Sequence, residues 1–280
     1  MAFEKMVRGK IMKKIVVILF VLLNIQIFCD TFYFAQVTDL YIGAEVNFRE
    51  REQKMTQFRI AALPISVNKL KIPLEFVAFT GNITNNGVKY TDPFVKNGLD
   101  EIRKINVPLY FVPGNHDIYP GNFATRFNLD SFKKNFGDIS FSKEIKGVKF
   151  IFFYGENLRI PSVIEGYDPF GWLENELITA EGKPVVLITH SMPGDDYSDD
   201  NFIQVWDKDN GEKLKIMLNS YNVRAVIAGH EDCDKMRYIG KIPVFIAPNF
   251  SLFGGRQASY RVYKYNNGEV SYFTRYIEQQ

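Results

Sequence analysis

Short apolar runs alternate with longer mixed segments along most of the chain. The runs are rich in Val, Ile and Phe and contain few polar positions, which is typical of strands covered on both faces. They predict strands at residues 32–37, 74–79, 108–112, 148–154, 184–188, 224–227 and 243–246. Helical patterns occupy 92–105, 130–136, 172–179 and 212–220. Strands that alternate with helices predict an α/β architecture.

Two polar turns add detail near the C-terminus. From Tyr260, apolar and polar residues alternate on both sides of Asn266-Asn267-Gly268, which predicts a β-hairpin. The segment 207–211 resembles a calcium loop only superficially, because its spacing does not fit an EF-hand, so it predicts a turn and a helix cap. Neither an internal repeat nor a linker follows residue 30, and we assign 31–280 to a single domain.

The first 30 residues differ in kind from the rest. Five basic residues precede an apolar stretch at 15–28, as in the basic and apolar regions of a secretory signal. The stretch is shorter than the roughly 20 apolar residues that span a membrane. We therefore expect residues 1–30 to be a signal peptide or an uncleaved anchor, and the domain to be extracytoplasmic. Any membrane attachment is expected only through this segment if it is not removed.

The overall charge of the chain gives no sign of a nucleic-acid partner. The chain holds 34 basic and 32 acidic residues, but residues 1–28 contain five of the former and one of the latter, so the remainder has a net charge of −2. A nucleic-acid surface would require a basic excess. Cys29 and Cys233 are the two cysteines of the sequence, so the mature chain has no internal disulfide framework. For Cys233 we expect an inert buried thiol.

Candidate metal ligands and proton carriers follow five of the predicted strands. The chain contains three histidines, and all of them are in such positions: His116, His190 and His230. The five clusters are Thr38-Asp39-Leu40-Tyr41, Gly81-Asn82, Gly114-Asn115-His116-Asp117, Thr189-His190-Ser191 and Gly229-His230-Glu231-Asp232. Ordinary turn chemistry accounts for the Gly-Asn pairs but not for the histidines. Because ligands bind at the carboxyl ends of strands in α/β sheets, we expect one site for divalent metals there.

In this order, the clusters resemble the motifs of calcineurin-like metallophosphoesterases over about residues 34–272. The Gly-Asn-His-Asp cluster that contains His116 is an intact third motif, and His190 and His230 match the fourth motif and the start of the fifth. The resemblance implies a four-layer α/β/β/α sandwich with two mixed sheets. It also implies a metal-dependent phosphoester hydrolase, either a phosphodiesterase or a phosphomonoesterase, whose substrate the sequence does not identify.

The resemblance also implies a role for each candidate residue. His116 would transfer a proton to the leaving group, and Asn115, His190 and His230 would hold the second metal. Asp39 is retained at the first metal position. Three residues replace family ligands there: Tyr41 and Asp232 stand in place of histidines, and Asn82 in place of the bridging aspartate. The implied cofactor is one or two divalent ions, of Mn, Fe, Zn or Mg.

These departures leave two readings open. All the replacements offer oxygen donors, which suits a hard cation such as Mn, Mg or ferric iron. Alternatively, a neutral Asn82 amide holds two dications together poorly, and the protein is a non-catalytic module that binds a ligand or partner and has lost its first metal.

Three further positions bear on these readings. Asn85 replaces an aspartate that often orients the catalytic histidine, and the absence of an arginine in Asn85-Asn86-Gly87 disfavours the phosphoprotein-phosphatase branch. Asp195 and Asp196 lie in an acidic segment that either supplies a replacement carboxylate or forms a solvated loop.

Overall fold

Strands and helices alternate through the described parts of the chain. The computed structural model describes residues 31–43, 50–85, 93–118, 125–193, 206–251 and 256–278. The strands there are β1 Phe32–Val37, β2 Leu74–Thr80, β3 Leu109–Val112, β4 Phe141–Ile145, β5 Val148–Phe153, β6 Val185–Thr189, β7 Val223–Ala228, β8 Lys235–Ile239, β9 Ile242–Ile246, β10 Ser259–Asn266 and β11 Glu269–Tyr276. The helices are α1 Glu50–Asn68, α2 Pro93–Ile102, α3 Thr125–Phe136, α4 Glu156–Arg159, α5 Pro169–Ile178 and α6 Lys208–Asn219.

The strands form two mixed sheets. The first has the order β11-β10-β1-β2-β3, with β1, β2 and β3 parallel, β10 antiparallel to β1, and β11 antiparallel to β10. The second has the order β4-β5-β6-β7-β9-β8, with a parallel centre from β5 to β9 and an antiparallel strand at each edge. The parallel centres place several strand carboxyl ends at the same edge of each sheet.

Three apolar layers hold the sandwich together. The middle layer lies between the sheets and is rich in aromatic rings, with Phe34 stacked on Phe76 at 5.1 Å between ring centroids and edge-on to Phe150 at 5.2 Å. The outer layers pack the first sheet against α1, α2 and α3, and the second sheet against α5 and α6. This is the predicted four-layer α/β/β/α sandwich, and that prediction is confirmed.

The predicted strands are confirmed to within about two residues, but the patterns missed α1, the short α4 and the two edge strands β4 and β8. Helix α1 contains Pro64, and its apolar residues are not concentrated on one face. The 3.6-residue periodicity of apolar positions that predicts a helix is therefore weak in this segment. Strand β8 carries exposed Met236 and Tyr238 between charged residues. At an edge, pairing with β9 rather than burial defines it as a strand.

Both C-terminal turn predictions are confirmed. Asn267 and Gly268 have φ of 50° and 87°, which are the left-handed values that a tight hairpin turn requires. The Asp207 side chain accepts a hydrogen bond of 3.0 Å from the Asn210 N–H and caps α6.

The predicted leader, residues 1–30, lies outside the described residues. Its cleavage, and the export of the protein, therefore stay predictions. Among the helices of the described ranges, none has both the length and the apolar character that crossing a membrane requires.

Candidate metal centre

Polar side chains from both sheets meet at one end of the sandwich. They follow β1, β2, β3, β6 and β7 in turn and are Asp39, Asn82, Asn115, His190 and His230. Hydrogen bonds from both His190 and His230 join the sheets here. His190 Nδ1 donates to the Thr80 carbonyl at 2.8 Å, and the His230 N–H donates to the Asp39 carboxylate at 3.1 Å. The structure thus brings the five strand ends into one crevice, as the sequence predicts.

Glycines beside these residues allow the backbones to approach closely. A Cβ atom on Gly114 would collide with both the side chain and the backbone of Asn82, and one on Gly81 would collide with the His190 ring. Gly81 also has a φ of 86°, which favours glycine. The Gly-Asn sequences are therefore required by the close approach of the strand ends as well as by turn chemistry.

Left-handed backbone is concentrated at this crevice. Five candidate residues have positive φ: Asp39 at 57°, Tyr41 at 50°, Asn82 at 49°, His230 at 72° and Asp232 at 52°. This conformation is costly for residues other than glycine, and bulky side chains such as tyrosine adopt it rarely. Backbone strain of this kind concentrates at functional sites, where the surrounding structure over-determines the geometry.

Three donor atoms converge at the second predicted metal position. His190 Nε2 lies 3.0 Å from Asn115 Oδ1 and 3.2 Å from His230 Nδ1. Because the Thr80 carbonyl only accepts, His190 carries its hydrogen on Nδ1, and in the neutral ring Nε2 presents a lone pair. The Asn115 oxygen facing it also presents lone pairs. A cation between the two atoms would be shared by their lone pairs.

The chemistry and spacing of these donors fit a divalent metal. Separations of 3.0 and 3.2 Å suit ligands that each lie about 2.1 Å from a common ion. Burial, followed by the charge of His190, holds the pKa of His230 well below its usual range, and neutral imidazole is the form that binds metals. Among the described residues, the buried His230 Nε2 has no hydrogen-bond partner, as expected where an ion or water completes a site.

Two of these donors are histidines and the third is an asparagine. Within the described ranges, no group of three or more His, Cys, Asp or Glu side chains is placed to hold a metal. The neutral Asn115 oxygen is what makes the cluster a three-donor site.

The first predicted metal position has a different character, because Asn82 occupies its centre with hydrogen bonds. The Asn82 amide nitrogen donates to Asp39 at 2.8 Å and to the Tyr41 hydroxyl at 3.0 Å. Its oxygen accepts from the backbone N–H of His116 at 2.9 Å. An amide nitrogen that donates both hydrogens has no lone pair for a metal, so these residues do not fit an ion in this arrangement.

Two neighbouring groups of the first position have raised pKa values. Burial, followed by the charges of Asp39 and Asp232, raises the pKa of Tyr41 well above its ordinary value of 10.0. Burial, followed by the charge of Asp39, raises the pKa of Asp232 to about 6. Tyr41 is therefore a neutral phenol rather than an anionic ligand.

His116 is held on three sides beside the crevice. Its Nδ1 lies 3.0 Å from Asn85 Oδ1, its backbone N–H is fixed by Asn82, and Tyr41 packs against its ring at 5.1 Å and 84°. Since Asn85 accepts from Nδ1–H, the exchangeable proton of the ring belongs to Nε2. Burial, followed by the charge of His190, lowers the pKa of His116 below 6.5.

Asp117 has a structural role that the sequence motif did not reveal. Its buried carboxylate accepts from the N–H groups of Ile83, Thr84 and Gly114 at 2.8 to 3.1 Å, and from the Thr84 hydroxyl at 3.0 Å. It ties the loop after β2 to the loop after β3. The last residue of the Gly-Asn-His-Asp motif therefore fixes the two loops that carry Asn82 and Asn115.

A buried ion pair beneath the histidines was also missed. Glu156 and Arg159 are almost completely inaccessible and pair at 2.6 Å, and Ser191, the neighbour of His190, donates to the same carboxylate. Burial alone would raise the pKa of Glu156, but Arg159 and the two metal-site histidines bring it down to about 2. In the sequence, helix α4 is too short to give a periodic pattern.

The acidic segment and Cys233 are the remaining predicted positions. Asp195 and Asp196 lie outside the described residues, so their role stays a prediction. Cys233 is partly exposed rather than buried, because the segment between β7 and β8 reaches the surface.

The fold and the crevice together place the protein in the metallophosphoesterase class. Residues 32–234 match the sequence profile of the calcineurin-like phosphoesterases. The chain belongs to this family, whose members are phosphoester hydrolases.

Two curated relatives and one solved structure are similar to this chain. A probable glycerophosphodiester phosphodiesterase GpdQ from Arcobacter nitrofigilis is 28% identical over 179 residues, which are 59% of each chain. The serine/threonine-protein phosphatase CPPED1 of Pongo abelii is 25% identical over 197 residues, 65% of this chain and 59% of the relative. The chain thus spans about 59% of the length of these curated relatives. A dimetal phosphatase from Danio rerio shares the fold with a TM-score of 0.61, 13% identity, and coverage of 88% and 99%.

Proposed function

We propose that this protein hydrolyses phosphoester bonds with the help of a divalent metal. The observation that carries the proposal is the convergence of Asn115 Oδ1, His190 Nε2 and His230 Nδ1 beside the ring of His116. These atoms offer one oxygen and two nitrogens, a set that suits Mn, Fe or Zn. Membership of a family of phosphoester hydrolases supports the same chemistry.

Each part of the crevice has a defined task in this proposal. A bound dication would supply Lewis-acid stabilisation of the phosphoryl oxygens and would lower the pKa of a bound water. His116 moves a proton at Nε2, because Asn85 holds Nδ1–H in place. The buried ion pair of Glu156 and Arg159 supports Ser191 and thereby the position of His190.

A phosphodiester is the first substrate to test. One of the similar proteins is a probable glycerophosphodiester phosphodiesterase, and another is a protein phosphatase, so diesters and monoesters both belong in the assay. The net charge of −2 beyond the leader does not favour nucleic-acid substrates.

We also propose that the protein works outside the cytoplasm. The support is the basic segment followed by the apolar stretch 15–28. Cell fractionation with N-terminal sequencing of the mature protein tests this location. An intact N-terminus in a cytoplasmic fraction would contradict it.

A second candidate function is that of a binding module without turnover. It is favoured by Asn82, whose amide hydrogen bonds occupy the first metal position. In this case the crevice would bind a phosphorylated ligand or a partner but would not hydrolyse it.

Hydrolysis assays separate the two functions. The purified chain is stripped with EDTA and mixed with an aryl phosphodiester or monoester, with and without Mn²⁺. We expect turnover that requires Mn²⁺ and is lost in Asn115→Ala and His190→Ala. The matched control Asn135→Ala removes an asparagine whose amide bonds only to Ser131 within its own helix, and should retain activity. Metal binding with no turnover of either ester over a broad pH range would support the binding module instead.

A further inference from the structure

We infer that the crevice binds one divalent ion per chain, and that the side chain of Asn82 takes the place of a second ion. The inference deepens the proposed function and rests on it, because the single ion is the one held by Asn115, His190 and His230. The hydrogen bonds of Asn82 carry the argument. They reach Asp39, Tyr41 and His116 at once.

The orientation of the Asn82 amide is fixed by its partners. The backbone N–H of His116 only donates, so the atom 2.9 Å from it must be the amide oxygen. The amide nitrogen then faces Asp39 at 2.8 Å, where a carboxylate can only accept, and Tyr41 at 3.0 Å. If the amide oxygen and nitrogen exchanged places, the amide N–H would face the His116 N–H and the amide oxygen would face the Asp39 carboxylate. The arrangement therefore has one low-energy orientation.

The same contacts leave Asp39 with few opportunities to bind an ion. Its Oδ1 accepts from Asn82, and its Oδ2 accepts from the Thr38 hydroxyl at 2.7 Å and from the His230 N–H at 3.1 Å. Asp39 is completely buried. An ion would have to displace the Asn82 N–H to reach Oδ1, and it would then lie next to a hydrogen-bond donor.

The charges around Asn82 also disfavour a second ion. Two dications in one crevice repel each other unless an anion lies between them. The central residue here is the neutral Asn82, and the carboxylates on its side of the crevice are those of Asp39 and Asp232. The hydrogens of the amide already supply the positive charge density that Asp39 needs. We conclude that the Asp39 carboxylate is satisfied without a metal.

The cluster also gives Asn82 a positive task, as a positioning residue for His116. Its oxygen holds the His116 backbone, and its nitrogen holds the Tyr41 hydroxyl while the Tyr41 ring packs edge-on against the imidazole at 5.1 Å. The groups that replace metal ligands thus fix the proton-transferring side chain.

Metal stoichiometry tests the inference independently of turnover. The full-length chain is stripped with EDTA, dialysed to equilibrium against Mn²⁺, and analysed for metal and by electron paramagnetic resonance. We expect about one Mn per chain, with the spectrum of an isolated ion. His190→Ala should bind none. The double variant Tyr41→His with Asn82→Asp should bind two ions and show a spin-coupled spectrum.

The variant Asn82→Asp alone gives a second test through stability. It places a carboxylate beside Asp39 and removes both donors, so its thermal midpoint in EDTA should fall and Mn²⁺ should restore it. The control Asn68→Asp alters an asparagine whose oxygen likewise accepts from a backbone N–H, that of Asn106, and whose nitrogen donates to the Lys104 carbonyl. Asn68 is remote and exposed, and Mn²⁺ should not rescue its variant.

The outcomes distinguish this inference from the proposed function. Two ions in the native chain would overturn the inference and leave metal-dependent hydrolysis intact. No ion in the native chain would overturn both. One ion without turnover would support the inference and contradict hydrolysis. If Mn²⁺ raised the thermal midpoints of Asn82→Asp and Asn68→Asp equally, the conclusion that Asn82 takes the place of an ion would be contradicted.

Discussion

The substitution Glu156→Gln tests the buried ion pair beneath the site. It keeps the shape of the side chain but removes the charge that faces Arg159, whose guanidinium lies 2.6 Å away. Both side chains are at most 1% exposed, so water cannot replace the lost partner. An uncompensated buried cation remains, and the Ser191 hydroxyl loses a charged acceptor.

The expected loss follows from the pKa of Glu156. Folding lowers this pKa from 4.5 to about 2, and each pKa unit corresponds to about 1.4 kcal/mol. The carboxylate therefore contributes about 3 kcal/mol to the free energy of unfolding at neutral pH, similar to the roughly 3–5 kcal/mol lost when a buried pair is broken. Because the folded pKa is depressed, this contribution is complete above pH 4.5 and declines as the pH falls toward 2.

Urea unfolding of both proteins, followed by circular dichroism from pH 7 to pH 3, measures this difference. Glu156→Gln should be less stable by about 3 kcal/mol at pH 7, and the gap should narrow below pH 4.5. The control Glu144→Gln removes an exposed partner of Lys183 and should change stability little. The stabilising role of the ion pair would be contradicted if the loss of stability at pH 7 were as small as in this control, or if it did not change with pH.

Three further changes test other parts of the site. His116→Ala should lower phosphoester turnover by about 10²- to 10⁴-fold with unchanged Mn content, since the role proposed for His116 is to transfer a proton and not to bind metal; a loss of metal would contradict this role. Gly114→Ala forces a Cβ against Asn82 and His190, so calorimetry should show weaker Mn binding and a stability loss of about 1–3 kcal/mol; unchanged binding would contradict the close approach. Asp117→Ala leaves three backbone N–H groups without their acceptor and should cost at least about 2 kcal/mol in urea unfolding; a smaller loss would show that water replaces the carboxylate.

Much of the fold could be predicted from local pattern. Continuous apolar runs identified the buried strands, and the Asn-Asn-Gly sequence at 266–268 identified the hairpin, because each pattern has a direct backbone cause. Helix α1 was missed because it is held by tertiary packing against the first sheet while its own pattern is weak.

The candidate site could be located but not fully interpreted. Polar residues after parallel strands indicated one crevice, since strand direction alone brings those ends together. Whether Asn82 bonds through its oxygen or its nitrogen depends on the backbone N–H of His116, 34 residues away in sequence. The pairing of Glu156 with Arg159 beneath His190 depends on packing between α4 and the second sheet, so no local pattern announces it.

Anomalous diffraction at the Mn edge, from crystals grown with Mn²⁺, directly tests whether the crevice holds a single ion among the three donors. We predict an anomalous peak within about 2.2 Å of Asn115 Oδ1, His190 Nε2 and His230 Nδ1, and no peak between Asp39 and Asn82. This prediction would be contradicted by a map without a peak among the three donors, with the Asn115 amide nitrogen turned to donate to His190.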